Sequence, residues 1–474
     1  MAEPKGNSIL LVTPPYHSGI PEIAGTWLPL ALVYLAGAAR EAGVDAAIYD
    51  AMAKGDGYPE IERRLAASGA KYVATGAMTA TVNDALKTLE LAKKVNPGTV
   101  TIIGGVHPSF MYREVLEAST SVDYVVIGEG EGALKLLLAT LEKGGDPAEV
   151  PGIAYRVGGK VAVTREAPLV TDLDALPAAW DLLDWPLYSY FIIPGSRFAA
   201  VSTSRGCGHD CSFCSQQKFW RKQWRPRDPS KVADEIAHLH EAYGADVFLL
   251  TDEHPTRDRG RFEKLLDLLI DKGLPIHLIL ETRVDDVIRD RDIFWKYRKA
   301  GVAHVSIGIE GAEQQRVDAL GKGISIDAAR EALEIIHEHG IVSEASFILG
   351  FPDETHASVQ ATLQRAKLCN PDNANFFALA PWPYGESYRE YRPRIRETGY
   401  SKYNFIDPVL EPEAMTLAEL RGALAECYRK FYTAKLLELM TMKESFRRGY
   451  LLRATKLIMG SSFVIKMLNP FKSS

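Results

Sequence analysis

Three of the five cysteines, Cys207, Cys211 and Cys214, fall within the run Ser204-Arg205-Gly206-Cys207-Gly208-His209-Asp210-Cys211-Ser212-Phe213-Cys214, spaced C-x3-C-x2-C. Three thiolates on one tight loop can hold three irons of a [4Fe-4S] cube and leave the fourth iron open. An open iron can bind a small chelating ligand and pass it an electron. Zinc is the competing reading, but it needs a fourth ligand at similar spacing. His209 lies inside the loop, and Cys369 and Cys427 are far away and apart. Disulfides fit poorly, because three neighbouring cysteines is an odd number.

A loop of this kind needs a large scaffold, and 474 residues allow two to three domains. The 46% apolar and 24% charged content is that of an ordinary globular protein. A net charge of -6 argues against a general nucleic-acid binder. The polar start Met1-Ala2-Glu3-Pro4-Lys5-Gly6-Asn7 is unlike a signal peptide. No stretch reaches the roughly 18 uncharged apolar residues that a membrane span needs. These features predict a cytoplasmic protein, with contact to the inner membrane only at its periphery.

Residues 1–150 alternate short apolar runs with helical stretches. Ser8–Thr13, Ala46–Tyr49, Tyr72–Thr75, Val100–Ile103 and Val122–Ile127 read as strands. Leu28–Ala42, Val82–Val95 and Gly132–Leu141 read as helices. The pattern is an α/β, doubly wound parallel sheet, whose ligands bind beyond the carboxyl ends of the strands. Those ends are Thr75-Gly76, Gly104-Gly105-Val106-His107 and Gly128-Glu129-Gly130-Glu131. Small residues let a bulky ligand approach the backbone. They also make tight turns, but three such ends in succession favour a ligand groove. No G-x-G-x-x-G follows the first strand, which disfavours a dinucleotide.

Residues 151–197 are expected to be a hairpin turning at Gly158-Gly159, then a Pro-rich linker laid over the surface. Its aromatic residues, Trp180, Trp185, Tyr188, Tyr190 and Phe191, read as packing between domains. The β/α rhythm resumes over residues 198–380. Strands are expected at Ala199–Thr203, Val247–Leu250, His277–Leu280, His304–Ile307, Ser343–Leu349 and Asn375–Ala378. Their carboxyl ends carry Thr251-Asp252-Glu253, Glu281-Thr282-Arg283, Ser306 with Glu310, and Gly350-Phe351-Pro352. Charges on loops are usually solvated. Polar ends in register with the cysteine loop point instead to a site.

Residues 381–474 break the rhythm. Tyr384, Tyr388, Tyr391, Tyr400, Tyr403 and Phe405 read equally as a substrate lid or as the packing of a small cap. Thr416–Met442 reads as a long helix. Lys443–Ser474 holds seven Lys or Arg and one acidic residue, with Phe463-Val464-Ile465 among its apolar groups. Such a tail can lie on an anionic membrane or serve as a docking helix.

The cysteine spacing, with Phe213 before the third cysteine, resembles the signature of radical S-adenosylmethionine (SAM) enzymes. That resemblance implies a partial (β/α)6 barrel holding a [4Fe-4S] cluster on Cys207, Cys211 and Cys214. It implies SAM contacts at Phe213, Glu253, Arg283, Ser306 and Glu310. A carboxylate and a guanidinium suit the zwitterionic methionyl end. Residues 1–150 are similar to the Rossmann-like cobalamin-binding domain found ahead of many such barrels. This places cobalamin binding on Thr75, Gly104, Gly105, Gly128, Glu129 and Gly130. The D-x-H-x-x-G motif is absent, so no cobalt ligand is assigned, and His107 and His17 remain candidates.

Cys211-Ser212-Phe213-Cys214-Ser215-Gln216-Gln217-Lys218-Phe219-Trp220-Arg221 resembles the cluster loop of anaerobic magnesium-protoporphyrin IX monomethyl ester cyclases. Pro15-Tyr16-His17-Ser18-Gly19, Glu22-Ile23-Ala24-Gly25, Phe110-Met111-Tyr112, Lys402-Tyr403-Asn404-Phe405 and Tyr428-Arg429-Lys430-Phe431-Tyr432 resemble other parts of that family. The family implies oxidative closure of the isocyclic ring of (bacterio)chlorophyll, with a keto oxygen taken from water and divinyl protochlorophyllide as product. It implies a magnesium porphyrin substrate near Tyr403 and Phe405, and an external electron donor of flavodoxin or ferredoxin type. No nucleic-acid partner is expected. A cobalamin-dependent radical SAM methyltransferase is the alternative reading of the same two domains.

Overall fold

The computed structural model describes residues 7–16 and 24–460. His17, Ser18, Gly19, Glu22, Ile23 and the apolar tail group Phe463-Val464-Ile465 lie outside the described residues. The chain forms two compact units, one containing Leu28–Leu187 and the other containing Tyr188 onward.

The first unit is built on a seven-stranded sheet. Strands β1 (Ser8–Val12), β2 (Asp45–Tyr49), β3 (Tyr72–Gly76), β4 (Val100–Gly104) and β5 (Tyr124–Val126) are parallel, in the order β2-β1-β3-β4-β5. Every residue of β1 is buried, as both faces of a doubly wound sheet require. The hairpin of β6 (Ile153–Val157) and β7 (Lys160–Val163) does not sit apart as a linker. It pairs antiparallel with β5 and completes the sheet, which buries Ile153 and Ala154.

The Pro-rich stretch after the hairpin is likewise packed in, not laid loosely on the surface. Ala179 N–H donates to the Val33 carbonyl at 3.1 Å. The stretch crosses the helix Leu30–Glu41 at Gly37, where a Cβ would lie 2.2 Å from the Pro177 carbonyl oxygen. Only glycine permits that approach. Trp180 and Trp185 are buried in this unit, and Trp180 meets Tyr34 edge-on. Tyr188 and Tyr190 are buried in the second unit, so these aromatics fill the cores of separate units. The longer helices that escape the hydrophobic pattern are Tyr58–Ser68 and Val106–Ala118. The second begins immediately after Gly105, with Pro108 in the first turn where its missing N–H costs nothing.

In the second unit six parallel strands run in chain order. They are β8 (Phe198–Val201), β9 (Val247–Leu250), β10 (His277–Thr282), β11 (Val302–Glu310), β12 (Val342–Leu349) and β13 (Asn373–Ala378). Helices such as Pro229–Tyr243, Arg259–Lys272 and His356–Cys369 alternate with the strands. This is the partial (β/α)6 barrel. β10 and β11 run further than their apolar cores. The additions are residues such as Glu281 and Glu310, which are polar because they face a cavity.

The long C-terminal helix spans Leu417–Thr441, capped by Thr416 and Glu419. The helix Ser445–Gly460 follows. It packs on the barrel unit through buried Tyr450, Leu451 and Ala454. Arg447 makes two bonds to Asp372, at 2.7 and 3.1 Å. The described half of the basic tail is thus a docked helix and does not stand free. Among the described residues no helix is long and apolar enough to cross a membrane.

Candidate functional site

The cysteine loop is closed at its base by a two-residue antiparallel ribbon, Ser204–Arg205 against Arg225–Pro226. Gly206 has φ +84, and a Cβ there would lie 1.9 Å from the Gln223 carbonyl oxygen. Its N–H donates to Glu253 Oε2 at 3.0 Å. The flanking tryptophans staple the loop to the end of β9. Trp220 Nε1 donates to Glu253 Oε1 at 2.6 Å, and Trp224 Nε1 donates to the His254 carbonyl at 3.1 Å. On the other side Ser212 N–H donates to the Leu320 carbonyl at 3.0 Å.

The three cysteines are free thiols and all line one cavity of about 410 Å³. Burial pushes the Cys214 thiol up to about 11 and raises Cys211. Burial also raises Cys207, but bonds from His254 and the His209 backbone outweigh it and hold that thiol below its ordinary value. His254 Nδ1 lies 3.9 Å from Cys207 Sγ, and its Nε2 meets Asp286 Oδ2 at 2.5 Å. Cys207, His209 and His254 could together hold a cation. That set leaves Cys211 and Cys214 unused, whereas a three-thiolate cluster uses every cysteine facing the cavity. The donor set therefore fits an iron–sulfur cube better than zinc.

Phe213, Glu253, Arg283, Ser306 and Glu310 line the same cavity as the cysteines. They come from the loop and the ends of β9, β10 and β11. Arg283 is oriented by Asp285 at 3.0 Å and by the Lys322 carbonyl at 2.8 Å. Glu310 is paired with Lys322 at 2.7 Å. Asp252 does not reach the cavity, because its carboxylate is buried and accepts bonds from Thr203 N–H and Oγ1 at 2.8 Å each. Phe351 packs with Leu320 and Leu379 behind Phe213 and does not line the cavity.

Polar lining residues outside the expected SAM set include Glu281, Lys322, Glu344 and Asn375. The available signal was alternation. Ser306, Gly308 and Glu310 on β11, and Glu344, Ser346 and Ile348 on β12, occupy every second position and face inward together. Glu281 opens onto the cavity rather than bulk water. Burial, then the neighbouring Glu344 charge, pushes its carboxyl up to about 7.

Aromatic residues wall the mouth. Phe405 and Trp382 line the cavity and meet edge-on at 5.4 Å, with Phe377 at 5.6 Å from Phe405. Tyr403 is not with them. It is 2% exposed and packs against Ala380 and Val409, so it supports the wall from behind.

In the first unit, Thr75, Gly104 and Gly128 mark the carboxyl edge of β3, β4 and β5. Thr75 Oγ1 is buried without a hydrogen-bond partner. A Cβ at Gly76 or Gly128 would meet nothing within 4 Å. Gly105, at φ +99, passes so close to Ala77 that a Cβ would lie 2.6 Å from its carbonyl oxygen. An orphan hydroxyl beside an open glycine edge fits a large polar ligand such as cobalamin. The other expected contacts have structural duties. Glu129 Oε2 accepts from Val170 N–H at 2.7 Å, and Gly130 lies under Leu35. His107 is 1% exposed, its ring Nδ1 lies 3.2 Å from Thr79 Oγ1, and burial pushes its imidazole down to about 4.

Comparison with known proteins agrees with this geometry. The B12 binding domain matches residues 17–138, and the Radical SAM superfamily matches residues 201–366. The chain is similar in fold to the radical S-adenosylmethionine methyltransferase TsrM from Kitasatospora setae with cobalamin and [4Fe-4S] cluster bound. The TM-score is 0.72 at 16% identity, covering 96% of this chain and 99% of that one. The anaerobic magnesium-protoporphyrin IX monomethyl ester cyclase of Rubrivivax gelatinosus is 37% identical over 461 residues, 96% of this chain and 83% of its own length. That of Cereibacter sphaeroides is 38% identical over 455 residues, 94% of this chain and 74% of its own length. The matches to these relatives run along nearly the whole chain, through the first-unit sheet, the cysteine loop and the barrel, and the chain belongs to the anaerobic magnesium-protoporphyrin IX monomethyl ester cyclase family.

Proposed function

We propose that this chain closes the isocyclic ring of (bacterio)chlorophyll without O2. It would oxidise the 13-methyl-propionate side chain of magnesium-protoporphyrin IX monomethyl ester to the keto level, with oxygen from water, to give divinyl protochlorophyllide. The observation that carries this reading is the single cavity shared by the three thiols, the polar strand ends and the aromatic wall. When bound, the cluster and SAM supply a 5′-deoxyadenosyl radical able to attack an unactivated C–H bond, and cobalamin supplies a one-electron couple.

The chain's own residues hold and orient. Cys207, Cys211 and Cys214 take the cluster. Arg283, fixed by Asp285 and the Lys322 carbonyl, offers a guanidinium to the SAM carboxylate, and Glu253 and Glu310 offer carboxylates to its amino end and ribose. Phe213 and Ser306 complete that pocket. Phe405 and Trp382 give a flat macrocycle an apolar face. Thr75 with Gly104, Gly105 and Gly128 takes the cobalamin side of the first unit. Glu129, Gly130 and His107 shape the groove from behind. A flavodoxin- or ferredoxin-type donor supplies electrons, and the tail beyond Gly460 is the candidate contact with an anionic membrane surface.

The test is anaerobic incubation with reconstituted cluster, cobalamin, SAM, reductant and the magnesium porphyrin ester. Absorbance and mass should show ring closure with one oxygen derived from labelled water. Cys211→Ala should abolish 5′-deoxyadenosine, and its persistence in a reconstituted variant would refute the cluster assignment. The Pyrococcus horikoshii relative, 31% identical, is described as an uncharacterized methyltransferase. The same assay therefore reads S-adenosylhomocysteine, which a methyltransferase forms and a cyclase does not.

A further inference from the structure

Beside Ser306 of the SAM pocket the barrel holds two carboxylates that SAM cleavage does not require, Glu281 and Glu344. Glu281, Ser306 and Glu344 stand side by side in register on the adjacent parallel strands β10, β11 and β12. All three line the cavity. Ser306 Oγ donates to Glu344 Oε1 at 3.2 Å. On the closed side, Glu344 Oε2 lies 3.7 Å from His304 Nε2, a buried atom with no hydrogen-bond partner. The other ring nitrogen, His304 Nδ1, pairs with the Tyr450 hydroxyl at 2.9 Å, and Tyr450 bonds the Tyr190 hydroxyl. Barrel interiors are normally filled by branched apolar side chains. A buried polar column there is costly unless every group is satisfied. A structural buttress for the C-terminal helix would need the tyrosines but not an unpaired imidazole nitrogen turned towards a cavity carboxylate.

We propose that Glu344, paired with Glu281 across Ser306 and backed by His304 and Tyr450, is the base that deprotonates the water whose oxygen becomes the keto group. This rests on the cyclase reading above. The substrate carbon reaches this step two electrons oxidised. One electron leaves with the hydrogen atom taken by the SAM-derived radical, and one goes to a one-electron acceptor of the corrinoid class. A bond then forms from the water oxygen to that electron-poor carbon. One O–H bond breaks, and its proton passes to the Glu344 carboxylate, with His304 Nε2 next in line. The crowding of two carboxylates at the cavity floor, seen in the raised Glu281, suits a pair that exchanges one proton. General-base assistance of this kind contributes roughly 100-fold or more.

The test is Glu344→Gln, which keeps shape and can still accept from Ser306. It is assayed for SAM affinity, 5′-deoxyadenosine and porphyrin products in labelled water. SAM affinity and deoxyadenosine should stay within about two-fold of wild type, while keto product falls about 100-fold. The oxidised side chain should then lose a neighbouring proton instead, giving an unsaturated ester lighter than the substrate by two hydrogens and without label. Glu344→Asp should recover part of the keto product. Parallel loss of SAM affinity and deoxyadenosine would overturn the proposal, because it would make Glu344 a SAM-binding residue. Unchanged keto product would also overturn it. A wild type that closes no ring at all would instead refute the parent reading, and the assignment of this base with it.

Discussion

Replacing Lys322 with Met tests whether the cavity is organised by its buried ion pair. The Lys322 ammonium lies 2.7 Å from Glu310 Oε1, and the two side chains are only 12% and 6% exposed. Burial disfavours the ammonium, but Glu310 outweighs burial and holds the lysine above its ordinary value. Glu310 cannot easily turn away, because its backbone is held at φ +69 by the last pair of the β11–β12 ladder. Removing one partner of a buried pair costs about 3–5 kcal/mol, because the other charge is left stranded. The cavity admits some water, so the lower end applies, about 3 kcal/mol. Lys322→Met combined with Glu310→Gln should recover most of that loss, giving a coupling of at least about 1 kcal/mol. Hydrogen exchange of peptides from β11 and β12 in the cluster-free protein reads the local opening energy. If the single variant loses less than about 1 kcal/mol and the two substitutions simply add, the pair does not organise the site.

Gly206→Ala should prevent cluster assembly, because the new Cβ would strike the Gln223 carbonyl at 1.9 Å, whereas Gly260→Ala, whose Cβ meets only Asp258 Oδ1 at 3.7 Å, should not; iron content after reconstitution reads the difference. Glu253→Gln loses the charge and one of the two acceptors that close the cysteine loop, so SAM affinity should fall about ten-fold and iron content after reconstitution should fall with it. Burial lowers the His107 imidazole from 6.5 to about 4, so its neutral form belongs to the fold. The associated stability of the first unit is complete above pH 6.5 and is lost as pH falls towards 4, by about 3 kcal/mol in total. His107→Gln should flatten that slope in the exchange protection of β3 and β4, and an unchanged slope would show that His107 is not its source.

The strands, the cluster loop and five positions that line the cysteine cavity are readable in the sequence because each is signalled locally. Apolar runs mark the strands, cysteine spacing marks the loop, and polar residues at strand ends mark the pocket. What is not readable depends on closure of the barrel. Lys322 sits in Gly321-Lys322-Gly323, where a lone lysine resembles a solvated turn residue until Glu310 folds against it. Glu344 and Ser346 alternate with apolar neighbours on β12, a pattern equally suited to a strand with one wet face. Tyr403 and Phe405 stand two residues apart, yet one is buried support and the other lines the cavity. Glu129 looked like a ligand contact because it stands at a strand end. In the fold its carboxylate is bonded to Val170, 41 residues further along.

Glu253 shows how the two halves of the site are coupled. One oxygen accepts from Gly206 in the cysteine loop, and the other accepts from Trp220 in its flank. A carboxylate offers about four lone-pair sites, so two bonds leave acceptor capacity turned to the cavity it lines. Burial raises this carboxyl, and bonds from its own backbone N–H, Trp220 and Gly206 pull it part of the way back towards the ionised form. The loop therefore has to be in place for Glu253 to offer a charge, and Glu253 has to be in place for the loop to close. Ordering of the cysteines and readiness for a cationic amine become one event. The wider cavity follows the same logic: Arg283 is aimed by the backbone of Lys322, and Lys322 is held by Glu310. Arg283, Glu310 and Ser306 are each bonded to a residue that also lines the cavity, and Glu253 is held by the cysteine loop and its flank. The site is thus assembled as a network rather than as independent contacts.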